Sequence, residues 1–193
     1  MRREHFEHVV AAASEVTGEQ ELVVIGSQAI LGPYPNAPES MLRSLEADMY
    51  PRRRPEKADD IDANLGDGSY FQATYGYYAH GVGPETAKAP IGWEERLIRI
   101  EIPPRVGSKR QPVALCLEPH DLVLAKCVAA RQRDWDFAKE ALRHGLVDQE
   151  VRAVQPRGRS PGRRRPSAAR EDDARRDCHA TRSGAGYRRR SCS

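Results

Sequence analysis

Two carboxylates, a glycine-serine pair and a lysine carry the chemistry legible in this chain of 193 residues. Glu46 and Asp48 alternate along an apparent strand, which puts both on one face about 7 Å apart at Cα, from two strand rises. Carboxylates so spaced can share a hard divalent cation. Mg²⁺ takes oxygen ligands and completes its shell with substrate phosphate. Gly26-Ser27 stands where a strand runs into a helix, a junction at which backbone N–H groups can approach a phosphate. Lys126 neighbours Leu122 and Ala129 at helical spacing, so it borders an apolar stripe. A lysine so placed either snorkels from the core edge or reaches into a site. Asp134 and Asp136 follow, able to pair with Lys126, Arg131 or Arg133. Each feature alone has a plainer reading: a tight turn, a solvated strand face, a snorkelling lysine.

The elements that must position these groups follow from periodicity. Phe6, Val9, Val10, Ala13 and Val16 recur at helical spacing over residues 2–16. Residues 21–25 form a short apolar run that stops at Gly26 and predicts a buried strand. A short helix is expected from Gln28 to Leu31, broken by the Gly32–Asn36 segment. Residues 44–50 predict a second strand, with Leu45, Ala47 and Met49 on one face and Ser44, Glu46 and Asp48 on the other. A helix is expected at 58–65, and residues 67–92 read as a Gly- and Tyr-rich connection. Leu97 to Ile102 and residues 112–117 predict two more strands joined by a hairpin-length segment. Helices follow from Pro119 to Arg131, with Leu122, Ala125, Val128 and Ala129 as the buried stripe, and from Asp134 to His144. The order predicts an α/β (α+β) fold with a mixed sheet flanked by helices.

Composition divides the chain. Residues 1–150 hold 18 Lys+Arg against 24 Asp+Glu, and residues 151–193 hold 13 Arg, no Lys and 4 acids. The expectation is one domain over 1–150 and a disordered Arg-rich tail over 151–193. The abrupt switch to Arg, Ser, Gly, Pro and Ala is what a GC-rich gene yields out of frame, so the tail reads as a frameshift product. No apolar run approaches the roughly 20 residues that span a bilayer, and no cleavable leader follows the charged N-terminus. A cytoplasmic protein with no membrane partner is expected. Cys116 and Cys127 look like small core residues, and no Cys/His cluster suggests zinc.

Taken together, Gly26-Ser27 after a strand, Arg43-Ser44-Leu45-Glu46-Ala47-Asp48 on the next, and a late Asp-Leu-x-x-x-Lys helix followed by Arg131-Gln132-Arg133-Asp134 resemble the minimal nucleotidyltransferase superfamily. The likeness is to its DUF6036-type branch, which is similar to the AbiEii and MenT toxin nucleotidyltransferases, and it covers about residues 20–145. The resemblance implies transfer of NMP from an NTP to an acceptor, with Mg²⁺ as cofactor. It implies Gly26, Ser27 and Arg43 at the nucleotide, and Glu46 and Asp48 on the metal. Lys126 would neutralise the triphosphate, and Asp134 or Asp136 would position Lys126 or the acceptor. Glu101 is its best candidate for the third carboxylate that larger members carry on a later strand. RNA or a cognate antitoxin would be the partner. The chain departs from the pattern in having Glu rather than the commoner Asp at position 46, and in the 18 residues between Ser27 and Glu46. A catalytically inactive binding module on the same fold is the alternative. The remaining residues have plain expectations: Tyr75, Tyr77 and Tyr78 packing on the sheet, His5, His8, His80, His120 and His144 at the surface, Trp93 and Trp135 as core or interface anchors, and Arg52-Arg53-Arg54 as a solvated connection.

Overall fold

The computed structural model describes residues 1–148; the Arg-rich stretch expected at 151–193 lies outside them. Helix α1 (Arg3–Thr17) buries Phe6, Val9, Val10 and Ala13, the face its periodicity predicts, and lies across the strands that follow. Strand β1 (Glu21–Val24) is central. It pairs antiparallel with β2 (Glu46–Pro51) and parallel with β5 (Val113–Cys116). Flanked on both sides, Leu22, Val23 and Val24 are buried, which is why this strand reads as a continuous apolar run. Beyond β2 lies β3 (Tyr78–Gly81), parallel to it, and beyond β5 lies β4 (Ile98–Glu101), antiparallel to that. The sheet order is β3-β2-β1-β5-β4, a mixed five-stranded sheet with flanking helices, as expected.

Helix α2 (Ala58–Leu65) packs on α1 and β3, and the short α3 (Tyr70–Tyr75) packs on α2. Helix α4 (Pro119–Ala129) opens on Glu118, whose carboxylate accepts from the His120 and Asp121 backbone N–H groups. Its first turn is locked further by Arg96, which donates from Nε and Nη2 to the two oxygens of buried Asp121 at 2.8 and 2.9 Å. Ala130, at φ 55°, turns the chain sharply into α5 (Gln132–Arg143). That left-handed corner folds α5 back against α4 and faces Asp134 towards Lys126. Among the described residues no helix is long and apolar enough to cross a membrane.

Three local expectations change. Leu45 is exposed, because strand β2 begins only at Glu46. Val128 is exposed too: the second half of α4 is only partly buried, with Ala125, Lys126 and Ala129 lining a cavity and Val128 turned to solvent. Trp93 is the core anchor expected, and Trp135 stands outside the core, exposed on α5. Tyr75 and Tyr77 pack against helix α1 rather than on the sheet, whereas Tyr78 is the first residue of β3. Phe71, Tyr75 and Tyr77 surround His8, whose Nδ1 lies 2.7 Å from the Tyr77 hydroxyl, so His8 is not a free surface group.

Candidate active site

The strand ends that carry Gly26 and Asp48 open on a cavity of about 640 Å³. Ile25 and Gly26, just past β1, and strand β2 supply its floor, the segment Ser40–Ser44 one side, and α4 with the start of α5 the other. Every residue expected at the site lies on its wall except Glu101. Alternation along β2 turns Ala47 and Met49 into the core, both fully buried, and leaves Glu46 and Asp48 facing the cavity. Asp48 is raised above the usual carboxylate range, first by burial and then by the charge of Glu46; His80 and Lys126 offset part of this.

Gly26 is what lets Asp48 sit there. A Cβ on residue 26 would lie 1.9 Å from Asp48 Oδ2 and 2.8 Å from its Cγ. The strand-to-turn junction is thus bare because a carboxylate fills the space. Ser27 opens the 3₁₀ turn Ser27–Leu31. Its hydroxyl accepts a hydrogen bond from Lys126 Nζ at 2.7 Å, which leaves the serine's own proton free to donate. Lys126 also pairs with Asp134 at 3.1 Å and lies over the Phe137 ring. Lys126 therefore reaches into the site rather than snorkelling. Asp134 is buried, and its Oδ2 has no hydrogen-bond partner among the described residues.

This pair predicts an asymmetric stability effect. Lys126→Met should cost about 3 kcal/mol, because Asp134 is left buried and unpaired. Adding Asp134→Asn should recover much of that by removing the orphaned charge. Urea unfolding of the two proteins checks it; a double variant no more stable than the single would show that the lost Asp134 partner is not the cause.

The other expected residues fall at the rim. Arg43 and Asp136 are exposed there, the latter accepting from Gln132. Lys88, Arg131 and Arg133 join Arg43 on the wall, and none of them makes an ion pair with a described residue. Glu101 is not brought to the cavity. Register places it opposite Val113 and hence level with Glu21, whereas the cavity end of the sheet is marked by Val24, Cys116 and Ile98. It is exposed at the other end, so the expected third carboxylate does not fit this geometry.

Two residues that the sequence reading left aside lie beside the acidic pair. The Tyr78 hydroxyl donates to Glu46 Oε2 at 2.9 Å, and burial together with that bond pushes its phenol up to about 12. His80 Nδ1 lies 3.1 Å from Asp48 Oδ1. His80 was expected at the surface, and its ring is half exposed, but its Nδ1 edge faces the acid. No sequence signal marked either residue, since β3 itself carries no aliphatic alternation.

The donor set fits a hard divalent cation. Two carboxylates share one strand face, held close enough that Glu46 raises Asp48. No group of three or more His, Cys, Asp or Glu converges among the described residues. The protein would thus supply two oxygen-bearing groups and leave the remaining positions to phosphate and water, which is how Mg²⁺ is commonly held.

A protein-family model described as "Nucleotidyltransferase of unknown function (DUF6036)" matches residues 4–152. Comparison with curated proteins and with solved structures gives no match.

Proposed function

We propose, from the premise that the chain belongs to the DUF6036 family of nucleotidyltransferases of unknown function, that the cavity binds a nucleoside triphosphate and transfers its nucleotidyl group to a hydroxyl acceptor. The observation that carries this reading is the opposition of charges across one cavity: Glu46 and Asp48 on the sheet floor, and Lys126, Arg43, Lys88, Arg131 and Arg133 on the walls around them. A polyphosphate bridges such walls, since its anionic oxygens meet the cations while the acids sit opposite. Glu46 and Asp48 would hold Mg²⁺, which when bound supplies Lewis-acid polarisation of the α-phosphate.

The chain's own groups account for the rest. Ser27 offers its hydroxyl proton to a phosphate oxygen while Lys126 holds that hydroxyl in place. Lys126, fixed between Ser27 and Asp134, faces the charge that builds on the departing pyrophosphate. Asp134 keeps the ammonium in that position and orientation. Arg43, Arg131 and Arg133 bind the outer phosphates at the rim. The acceptor oxygen bonds to the α-phosphorus as the bond to pyrophosphate breaks, and the acceptor proton leaves to solvent.

The test is equilibrium binding of each common NTP with and without Mg²⁺, followed by transfer of an α-phosphate label to total RNA and protein. Mg²⁺-dependent binding and a labelled acceptor are expected. No binding at millimolar nucleotide would overturn the reading. Binding with no label in either fraction would favour an inactive binding module, a reading that the Glu at position 46 and the displaced Glu101 keep open.

A further inference from the structure

We infer that strand β3 is the supporting strand of the acidic pair, with Tyr78 and His80 as positioning residues that hold Glu46 and Asp48 ready for a divalent cation. The inference rests on the cation reading above and adds two residues to it.

The parallel register of β2 and β3 sets Tyr78 beside Glu46 and His80 beside Asp48. Partners in register share a sheet face on strands about 4.8 Å apart. All four side chains therefore stand on the cavity side of the sheet, two acids in one row and two donors in the next. Each acid has one oxygen engaged by its neighbour: Glu46 Oε2 by the phenol and Asp48 Oδ1 by the imidazole. A carboxylate only accepts, so Nδ1 carries the proton in this contact. The second oxygen of each acid has no partner within the described residues, and Asp48 Oδ2 lies over Gly26.

Such an arrangement differs from chance contacts on a polar strand. An unfixed carboxylate loses rotamer freedom when it ligates, and that loss weakens binding. Here the freedom is already gone, while a free oxygen on each acid remains. Outward hydrogen bonds to ligating carboxylates typically strengthen metal binding by 10–100-fold. The donors also suit their acids in length. Glu46 carries one more methylene and one more torsion than Asp48, and it is paired with the tyrosine, the longer of the two donors. The unusual Glu at this position is thus compensated on the neighbouring strand.

Mn²⁺ serves as the probe, with the free ion measured by electron paramagnetic resonance against the full chain. Tyr78→Phe keeps the ring and deletes only the donor; it should bind Mn²⁺ about tenfold more weakly. His80→Ala should show a similar loss, and His80→Asn should regain most of it, because its amide N–H stands near the place of Nδ1. In a Glu46→Asp background the shorter acid withdraws from the phenol, so Tyr78→Phe should then change binding little. Failure of the wild-type chain to bind Mn²⁺ overturns the cation reading and this inference with it. Wild-type binding that Tyr78→Phe leaves unchanged, or a His80→Asn no better than His80→Ala, overturns this inference alone. So does a loss of binding that merely tracks a fall in melting temperature across the variants.

Discussion

Asp48→Asn should give a protein that melts higher than wild type in metal-free buffer at neutral pH and transfers nucleotide about 10³-fold more slowly, the scale of losing a fixed electrostatic group at a reacting phosphate. The two effects have one origin. Asp48 is half-buried in the cavity wall beside Glu46, and its carboxyl is raised above the usual range, first by that burial and then by the charge of Glu46. A group whose folded-state pKa is raised binds its proton more tightly folded than unfolded. Its protonated form therefore stabilises the fold at low pH, and that stabilisation is lost as pH rises through the window between the ordinary carboxylate value and the raised one. At neutral pH the ionised Asp48 is a net cost, which Asn removes while keeping the shape. The stabilisation of Asn over Asp should shrink on acidification into the carboxylate range, where wild-type Asp48 takes up its proton. Added Mg²⁺ should raise the melting temperature of the wild type and leave the variant unmoved, since only the wild type retains both acids. Differential scanning calorimetry at two pH values, with and without Mg²⁺, checks the three melting effects, and transfer of an α-phosphate label checks the rate. A variant that melts lower, or that keeps its activity, would show that Asp48 is an ordinary strand residue.

That strain is legible only once the fold is known, although much of the fold is legible from residues alone. Strand β2 was visible because Ala47 and Met49 alternate with Glu46 and Asp48, and burial obeys that alternation. Strand β1 was visible because a strand flanked on both sides must be apolar on both faces. Strand β3 was not. Tyr-Ala-His-Gly has no aliphatic period, and Gly81 is present because the backbone of α2 lies against it: a Cβ there would meet the Ala58 carbonyl oxygen at 1.9 Å. The strand exists because β2 offers it an edge, a tertiary cause that local pattern does not carry. Missing β3 hid Tyr78 and His80 as well. Glu101 shows the complementary limit. Period two assigns a residue to a face of a strand, but not to an end of the sheet. β4 runs antiparallel to β5, so the residue that matched in face came to lie at the wrong end. Val128 misled for a third reason: Ala125 and Ala129 of the same apolar stripe line a cavity, while Val128 itself is turned to solvent, so apolar spacing alone did not fix which residues are covered.

Gly26→Ala should lower transfer by roughly 10²-fold while leaving the fold in place, the scale at which misplacing a reacting group acts. The backbone permits the change. Gly26 has φ −81° and ψ −170°, a region open to every residue, so no strain arises from the alanine itself. Replacing glycine where the conformation allows it tends to stabilise by about 0.4–1 kcal/mol through the unfolded chain. What cannot remain is the Asp48 side chain, whose Oδ2, Cγ and Cβ would stand 1.9, 2.8 and 3.0 Å from the new methyl. Asp48 has two torsions and faces the open cavity, so it must swing off Gly26 into that space and away from His80. The expected signature is a loss of activity with a nearly unchanged melting temperature, the reverse of a core defect. Because both substitutions act on the same carboxylate, Gly26→Ala combined with Asp48→Asn should be hardly worse than Asp48→Asn alone, whereas independent effects would multiply. Transfer rates for the two single variants and the double, with melting curves for each, decide it. Multiplicative losses, or a Gly26→Ala protein as active as wild type, would mean that Gly26 serves only the turn and that Asp48 does not need the space it opens.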